Sequence, residues 1–165
     1  MGLFANLTAA LACIVFSDGV TGVGGLKIGS RVGELKSRYP QTKFLGRKLG
    51  LDGQYWRVSD DISVLCRNGR VVYIITGTDK FELAGIRVGD SFEKVEKIHG
   101  ECFELRVTTN PRGCPEQLGL RYPRQNLLFW IGDGVVTRIV IGDIEKFRYS
   151  TKDNFAGIAD NPSDQ

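Results

Sequence analysis

Histidine and cysteine, which carry much of the metal and nucleophilic chemistry of proteins, are scarce and widely spaced in this chain. His99 is the only histidine, so neither a multi-histidine metal site nor an HExxH motif can form. Cys66, Cys102 and Cys114 lack the CxxC spacing of a zinc site. The sequence allows a Cys66–His99 dyad, but Cys66 ends the alternating apolar run 62–66, which favours a small buried hydrophobic residue. We therefore expect no metal, no cofactor and no catalytic residue.

Acidic pairs and one glycine-rich segment also have simple interpretations. The pair at 60–61 and Asp79 with Glu82 could serve a hydrolase, yet both lie in predicted turns without a third partner. Residues 22–25 (GVGG) lack the spacing of a phosphate-binding loop, which favours a linker. His99 falls at a predicted helix end, where a capping or half-buried role is expected. A deep polar pocket around it would instead favour an enzyme.

Aromatic and arginine side chains in or beside predicted strands could form a binding face. Tyr, Trp and Arg are the residue types enriched at interface hot spots. The candidates are Tyr55, Trp56, Arg57, Tyr73, Arg121, Tyr122, Arg124 and Trp130. The alternative is that Trp56 and Trp130 fill the core between helix and sheet.

Composition places the chain among folded globular proteins. It has 165 residues, of which 42% are hydrophobic and 25% charged. These values are far from those of disordered chains. The 22 basic and 19 acidic residues interleave along the chain, giving a formal charge of +3. Because no block of charge appears, we expect no nucleic-acid partner.

The N-terminus predicts export. Residues 3–16 are almost wholly apolar, and no Lys or Arg precedes Lys27. The run is too short to span a bilayer but suits a secretory signal over residues 1–19, although a basic leading region is missing. Cys13 follows Ala-Leu-Ala as in an imperfect lipobox, so it is a candidate for lipidation. The alternative is a buried first helix or strand.

Two segments match without a gap at an offset of 60. Residues 25–40 (GLKIGSRVGELKSRYP) and 85–100 (GIRVGDSFEKVEKIHG) share two glycines, alternating aliphatic residues and an apolar stripe at helical spacing. Each predicts a short strand, a sharp glycine turn and a helix. Ser30 and Asp90 are the expected N-caps, and Pro40 and Gly100 the expected ends.

A second pair of matching segments predicts two hairpins. Residues 68–77 (NGRVVYIITG) and 133–142 (DGVVTRIVIG) align at an offset of 65, and each begins with the dipeptide most typical of a two-residue hairpin turn. The change in offset places an insertion at 101–117. The predicted organisation is a repeat unit over 20–80, a second over 81–148, and a frayed tail over 149–165.

These elements predict an α+β fold. It would contain two tandem helix-plus-antiparallel-strand repeats, forming one sheet or two sheets covered by short helices on one face. The other face of the sheet would remain available for binding.

The pattern G-[IL]-x-[IV]-G-[SD], followed by a short helix and a hairpin, resembles the repeat of the beta-lactamase inhibitory protein family. It is also similar to the small outer-membrane lipoprotein that assists barrel assembly and to bacterial envelope lipoproteins. The resemblance covers residues 25–143. In the inhibitor family a cysteine just after a helix pairs with a later one, which implies a disulfide between Cys102 and Cys114. An oxidising compartment would favour the same short loop. The first unit has no such pair.

The sequence as a whole predicts an exported, periplasmic or secreted protein without enzymatic activity. It would bind another protein or an envelope component through its sheet face, in the manner of an inhibitor. The alternatives are an accessory lipoprotein of envelope assembly, anchored through Cys13, and an enzyme of unrecognised type. Insertion 101–117 exists in one unit only and is the expected location of specificity.

Overall fold

A computed structural model describes residues 15–16, 19–20, 22–47, 53–101, 104–108 and 117–146. The elements of these residues are, in order, β1 (Val15–Phe16), β2 (Gly19–Val20), β3 (Gly22–Val23), β4 (Leu26–Lys27), α1 (Val32–Arg38), β5 (Lys43–Arg47), β6 (Gln54–Arg57), β7 (Ile62–Arg67), β8 (Arg70–Thr76), α2 (Phe92–His99), β9 (Glu104–Thr108), β10 (Gln117–Tyr122), the 3-10 turn η1 (Pro123–Gln125), β11 (Leu127–Gly132) and β12 (Val135–Gly142).

Eight strands form one antiparallel sheet in the order β5-β6-β7-β8-β12-β11-β10-β9. The first half of the molecule, residues 22–76, supplies four consecutive strands, and the second half, residues 83–142, supplies the other four. Two short pairs, β1 with β2 and β3 with β4, stand outside this sheet. The molecule is thus a mixed α+β protein in which strands dominate.

Both helices begin one residue later than their sequence predicts. The N-cap of α1 is Arg31 rather than Ser30, and its backbone N–H donates to Glu34 at 3.2 Å. The N-cap of α2 is Ser91 rather than Asp90, and its hydroxyl accepts from the backbone of Lys94 at 3.2 Å. The shift arises because the carbonyls of Ser30 and Asp90 accept hydrogen bonds from the hairpin strands β8 and β12. The predicted end of α2 at Gly100 is confirmed.

The two predicted hairpins are confirmed. Asn68 and Gly69 join β7 to β8 with φ values of 49° and 70°, and Asp133 and Gly134 join β11 to β12 with 52° and 79°. Two consecutive positive φ values define the type I′ turn, whose twist matches that of the flanking strands.

The glycine turns before the helices are tied to these hairpins in the same way in both halves. The Gly29 N–H donates to Val71 at 2.8 Å, and the Gly89 N–H donates to Val136 at 2.7 Å. Gly29 and Gly89 have φ values of 88° and 93°, which suit glycine far better than other residues. Each helix is therefore held at its start by the strand it covers.

The two halves join through β8 and β12. Ile75 pairs with Val140, which lies 65 positions further along the chain, the same offset as between the two hairpin segments. On either side, Ile74 pairs with Ile141 and Thr76 with Ile139. The junction is therefore a backbone ladder inside one continuous sheet.

Both faces of the sheet carry buried side chains. The helix-side core contains Leu35 of α1 and Val95 of α2 together with one face of the strands. The far-side core consists of Tyr55, Leu65, Tyr73, Ile75, Leu128, Trp130, Val140 and Ile144. Every member of the far-side core is at most 4% exposed. The expectation of a freely accessible second face therefore does not hold for these side chains.

Several sequence predictions concern residues outside the described ranges. Cys13, Cys102 and Cys114 lie there, as do most of the insertion 101–117 and the tail 149–165. The disulfide and the lipidation remain predictions. Within the described ranges, no helix has the length and apolar character needed to cross a membrane.

Candidate functional site

A pocket of about 500 Å³, lined largely by polar and charged residues, opens where α2 ends and the chain turns from β10 into β11. Three predicted binding residues, Arg121, Tyr122 and Arg124, meet there. Among the described residues, the lining consists of His99, Glu101, Arg121, Tyr122, Pro123, Arg124, Gln125 and Glu145. This described lining comes from the end of α2, from β10 with η1 and from the segment after β12, all in the second half.

The η1 turn shapes the rim of the pocket. Pro123 stands at its first position, where a missing N–H is not needed and the fixed φ suits a helical turn. Asn126 ends it in the left-handed conformation with φ 56°, and its N–H donates to Pro123 at 3.0 Å. Asparagine is among the few residues that adopt this conformation readily. The turn therefore holds Arg124 and Gln125 at the rim.

His99 forms one wall of the pocket and is half-buried. Its Nδ1 lies 2.6 Å from Oε1 of Gln125. Because an amide oxygen can only accept, Nδ1 carries the proton in the neutral ring. Burial lowers the pKa of His99, while the Gln125 side chain and the backbone of Ala84 act in the opposite direction. His99 is thus a neutral imidazole at neutral pH.

Aromatic contacts fix the ring of His99. Its centroid lies 5.2 Å from that of Tyr122 and 5.3 Å from that of Phe129. The Tyr122 hydroxyl donates to the carbonyl of Gly100 at 3.1 Å, so Tyr122 also fastens the end of α2 to β10. This wall of the pocket is therefore rigid.

Arg121 supplies a fixed positive charge. Arg121 is 7% exposed, and its Nη2 donates to the carbonyl oxygen of Ile144 and, at 3.5 Å, to that of Glu145. Glu101 and Glu145 are exposed, so water screens their charges more than that of Arg121. The lining therefore carries charges of both signs, and that of Arg121 is the most buried.

Arg124 has a different environment. It is exposed at the rim, and no residue of the described chain forms a hydrogen bond or an ion pair with its guanidinium. A guanidinium presents a planar set of donors that fits a carboxylate or phosphate in a bidentate manner. Arg124 is thus a donor available to a ligand.

In the first half, side chains occupy the position that corresponds to the pocket. Tyr39, which aligns with His99, donates from its hydroxyl to Gly24 at 2.6 Å, and Arg38 donates to Gly25 at 2.7 Å. These bonds close the end of α1 against the β3–β4 turn. The smaller histidine at the end of α2 helps explain why the second half can form a pocket.

The other predicted binding residues lie elsewhere. Tyr55, Tyr73 and Trp130 are 1%, 2% and 2% exposed in the far-side core, so they offer no accessible side chain. The alternative that Trp130 is a core residue agrees with its burial, although it packs on the face away from the helices. The binding role of these three residues stays a prediction.

Trp56 lies on β6 on the helix side of the first half, and Arg57, the next residue of the strand, lies on the opposite face. Trp56 is half-buried, its ring centroid is 4.9 Å from that of Phe44, and the Nζ of Lys36 lies 4.6 Å above its ring. Arg57 is also half-buried and pairs across the strands with Lys43. The eight candidates therefore separate into three locations rather than one face.

Sequence reasoning missed several lining residues. Glu101, Gln125 and Glu145 stand in loops without a motif, and they come together only through tertiary structure. A signal for His99 existed, because it replaces Tyr39 in the aligned segments. Histidine is shorter than tyrosine, so a histidine at this helix end indicates free space beside its ring.

Cys66 is not part of the pocket lining. It is 1% exposed in the helix-side core, and burial raises the pKa of its thiol to about 11. The group is therefore a protonated thiol at neutral pH, which is a poor nucleophile. In the parts of the chain that the structure describes, no three metal-ligating side chains (His, Cys, Asp or Glu) are grouped as a metal site would need.

The sheet order and the two helices define a β-dominated α+β protein with a pocket at one helix end. Its fold is similar to part of an extracellular protein containing an SCP domain from Bacillus anthracis str. Ames, with a TM-score of 0.50 and 10% sequence identity. The match covers 74% of this chain and 47% of that one, so this chain spans about half the length of that protein.

A DUF4309 family protein (YjgB) from Bacillus subtilis subsp. subtilis str. 168 has a TM-score of 0.47 and 16% identity. That match covers 76% of this chain and 88% of the other. No protein-family model and no curated protein matches the chain.

Proposed function

We propose that this chain is an exported, non-enzymatic binding protein whose pocket beside His99 receives an acidic group of another protein or of an envelope component. The observation that carries the proposal is the exposed guanidinium of Arg124 above an inner wall that contains the buried charge of Arg121. Two guanidinium groups, one fixed and one available, suit a carboxylate ligand.

The pocket favours binding because its interior is already organised. His99 is held by Gln125 and two aromatic rings, and Arg121 by backbone carbonyls. A ligand would therefore order little more than Arg124, and the entropic cost of binding would be small. The exposed Glu101 at the mouth would repel a ligand that carries negative charge alone. We therefore infer a peptide segment in which an acidic side chain lies beside hydrogen-bond donors.

Export is supported by the apolar run 3–16 and by the resemblance to envelope proteins. Mass spectrometry of the mature chain tests this directly. Cleavage within residues 10–20 supports export, and a lipid on Cys13 would favour the accessory lipoprotein instead. An uncleaved chain in the cytoplasm would refute export.

We also propose that the two halves are diverged copies of one unit. The equal spacing of the hairpin segments, the matched hydrogen bonds of Gly29 and Gly89, and the pairing of Ile75 with Val140 support this. A ladder that pairs a residue with its own counterpart is what a two-fold arrangement of two copies would produce.

One observation favours the enzyme alternative. His99 is neutral, and with the proton on Nδ1 its Nε2 carries a lone pair, as a general base would, although Nε2 is buried rather than open to the pocket. Against this, the described lining contains no serine, threonine or cysteine, and the Tyr122 hydroxyl already donates to Gly100. The binding proposal therefore accounts for more of the geometry.

The test uses the α-amide of N-acetyl-glutamate, which carries one carboxylate beside amide N–H donors, as a soluble probe of the pocket. Because His99 is the only histidine, its imidazole proton resonances report on the pocket alone. We expect saturable shifts on titration with the probe, and at least a tenfold weaker apparent affinity in Arg124→Ala, since a charge-assisted hydrogen bond contributes about 1.5–3 kcal/mol. Arg87→Ala removes the same charge at an exposed ion pair and should leave the affinity unchanged.

The same three proteins then serve for capture from the envelope fraction of the source organism. Wild type and Arg87→Ala should retain the same partner, and Arg124→Ala should lose it. Equal retention by Arg124→Ala, or an absence of any saturable shift with the probe, would refute the pocket as the binding site.

A further inference from the structure

The second candidate surface is the edge strand β5, in the half of the molecule that lacks the pocket. Four large hydrophobic residues are exposed in the described chain, and two of them, Phe44 at 50% and Leu45 at 42%, are neighbours on β5. The other two, Ile98 and Val135, lie apart on α2 and β12. Exposed apolar residues are therefore concentrated at this edge.

β5 ends the sheet order, and β6 is its only partner in the sheet that the described residues form. An edge strand presents backbone N–H and C=O groups along its free side. Pairing with β6 shifts register between Phe44 and Gly46, so Leu45 is the extra residue of a bulge. The bulge increases local twist and exposes Leu45.

Trp56 extends the apolar surface onto β6. Phe44 packs on it at 4.9 Å with the rings tilted by 52°, and Lys36 lies above it. The Trp56 Nε1–H is buried and has no hydrogen-bond acceptor among the described residues. Phe44 and Lys36, both exposed, cover part of the indole, and the indole also packs against the helix-side core.

The charges at this edge share one sign. Lys43 and Arg47 stand at the two ends of β5, and Lys36 and Arg57 lie beside it. For Lys36, Lys43 and Arg47, no ion pair exists within the described ranges. A ligand with acidic residues would neutralise this cluster.

The same charges disfavour a second copy of the chain as the occupant. Antiparallel pairing of two β5 strands would place Lys43 of one copy opposite Arg47 of the other, and like charges directly opposite in a ladder are destabilising. Lysine on an edge strand and a bulge are known obstacles to self-association. An acidic strand meets no such repulsion.

We propose that β5 receives, as a ninth strand of the sheet, an extended segment of a partner protein in which acidic residues flank apolar ones. Backbone hydrogen bonds would give affinity, and contacts with Phe44, Leu45 and the flanking cations would give selectivity. The inference goes beyond the pocket, because it concerns the opposite end of the sheet and different residues.

The probe is the labelled peptide acetyl-Thr-Glu-Val-Val-Glu-Thr-amide, whose two glutamates are three ladder positions apart, as Lys43 and Arg47 are across the bulge at Leu45. Its counterpart carries lysine in place of both glutamates. Fluorescence anisotropy should show saturable binding of the acidic peptide and at least tenfold weaker binding of the lysine peptide. Amide hydrogen exchange at residues 43–47 should slow when the acidic peptide binds, because strand addition protects backbone groups.

Three variants separate the contributions. Phe44→Ser/Leu45→Ser should lower the affinity for the acidic peptide at least tenfold. Ile98→Ser/Val135→Ser makes the same type of change elsewhere, and its affinity for the peptide should stay within twofold of wild type. Lys43→Glu/Arg47→Glu should reverse the preference in favour of the lysine peptide. Because these side chains are exposed, all variants are expected to fold, and circular dichroism checks this.

Several outcomes would overturn the proposal. These are no saturable binding of the acidic peptide, equal affinity for both peptides, or binding without slower exchange at residues 43–47. Dimerisation of the wild type that Phe44→Ser/Leu45→Ser abolishes would identify a second copy as the occupant. All peptide titrations are carried out in the Arg124→Ala background, which lacks the available guanidinium of the pocket, so failure here and failure of the pocket are distinguishable.

Discussion

Replacement of Gly142 by alanine should destabilise the junction between the two halves. Gly142 ends β12 and pairs with Tyr73 of β8. Its φ is +149°, a backbone conformation that residues with a Cβ rarely adopt. A Cβ at this position would overlap Cδ1 of Tyr73 and lie 2.5 Å from the carbonyl oxygen of Val72. The Val72 oxygen belongs to the backbone and cannot move independently of the strand.

The surroundings leave little room for relaxation. Tyr73 is 2% exposed, and its hydroxyl donates to the Asp143 carbonyl at 3.0 Å, so its ring cannot shift without losing that bond. Overpacking costs about 1–3 kcal/mol, and the unfavourable φ adds about 1 kcal/mol. We expect Gly142→Ala to lower the free energy of unfolding by about 2–4 kcal/mol, or Tm by roughly 10 °C for a chain of this length.

Gly77→Ala is the matched control, because Gly77 lies 65 positions before Gly142. There a Cβ would meet nothing closer than Arg138 Cγ and the Thr137 carbonyl, each at 3.8 Å. We expect a change within about 0.5 kcal/mol. Urea unfolding followed by far-UV circular dichroism measures both variants. A Gly142→Ala protein as stable as wild type, or equal losses at both positions, would refute the packing argument.

The remaining predictions concern titration and thiols. Burial lowers the pKa of His99 below 6.5. As the pH falls past 6.5, the unfolded chain therefore binds more protons than the folded chain, and His99 reduces the stability of the fold in acid. Well above that pH, His99 has no such effect. Its NMR titration midpoint should lie below 6.5, and His99→Gln should lose less stability than wild type on acidification; a midpoint at or above 6.5 contradicts this. Iodoacetamide at about pH 8 should label Cys66 only in denaturant, since its thiol pKa is about 11; labelling of the folded protein would show that the site opens. Intact mass after alkylation without reductant should show Cys102 and Cys114 protected, and free thiols at both would exclude the disulfide.

Local sequence signals predicted the helices and hairpins well. The dipeptides at 68–69 and 133–134 require a particular turn, and the glycine-flanked segments combine a turn with an amphipathic helix. Such features depend on neighbours in the chain, so they can be read directly. The N-caps were displaced by one residue because Ser30 and Asp90 bond to distant strands.

Burial of the aromatic residues could not be predicted in the same way. In the second half, Trp130 of β11 pairs with Gly119 of β10. The residue of the first half that corresponds to Trp130 is Leu65 of β7, and it pairs with Tyr55 of β6. The large side chain thus stands on different strands in the two halves. Which residue faces which depends on strand register, and that is set by tertiary pairing rather than by local pattern.

The pocket was even less visible in the sequence. Its charged groups come from a helix end, a strand, a turn and the segment after β12. None of these segments has a recognisable motif. Arg121, Tyr122 and Arg124 were found only because their residue types are common at interfaces.

The β8–β12 ladder also affects how the chain must be made. β8 contains the run Val71 to Thr76 without a charge, and β12 begins 59 residues after β8 ends. At roughly 5–20 residues per second, a ribosome needs about 3–12 s to supply that partner. During this interval a nascent first half exposes a flat, aliphatic strand edge, the type of surface on which chains aggregate. Protection of β8 by a chaperone or by the translocation machinery would then decide the yield of folded protein.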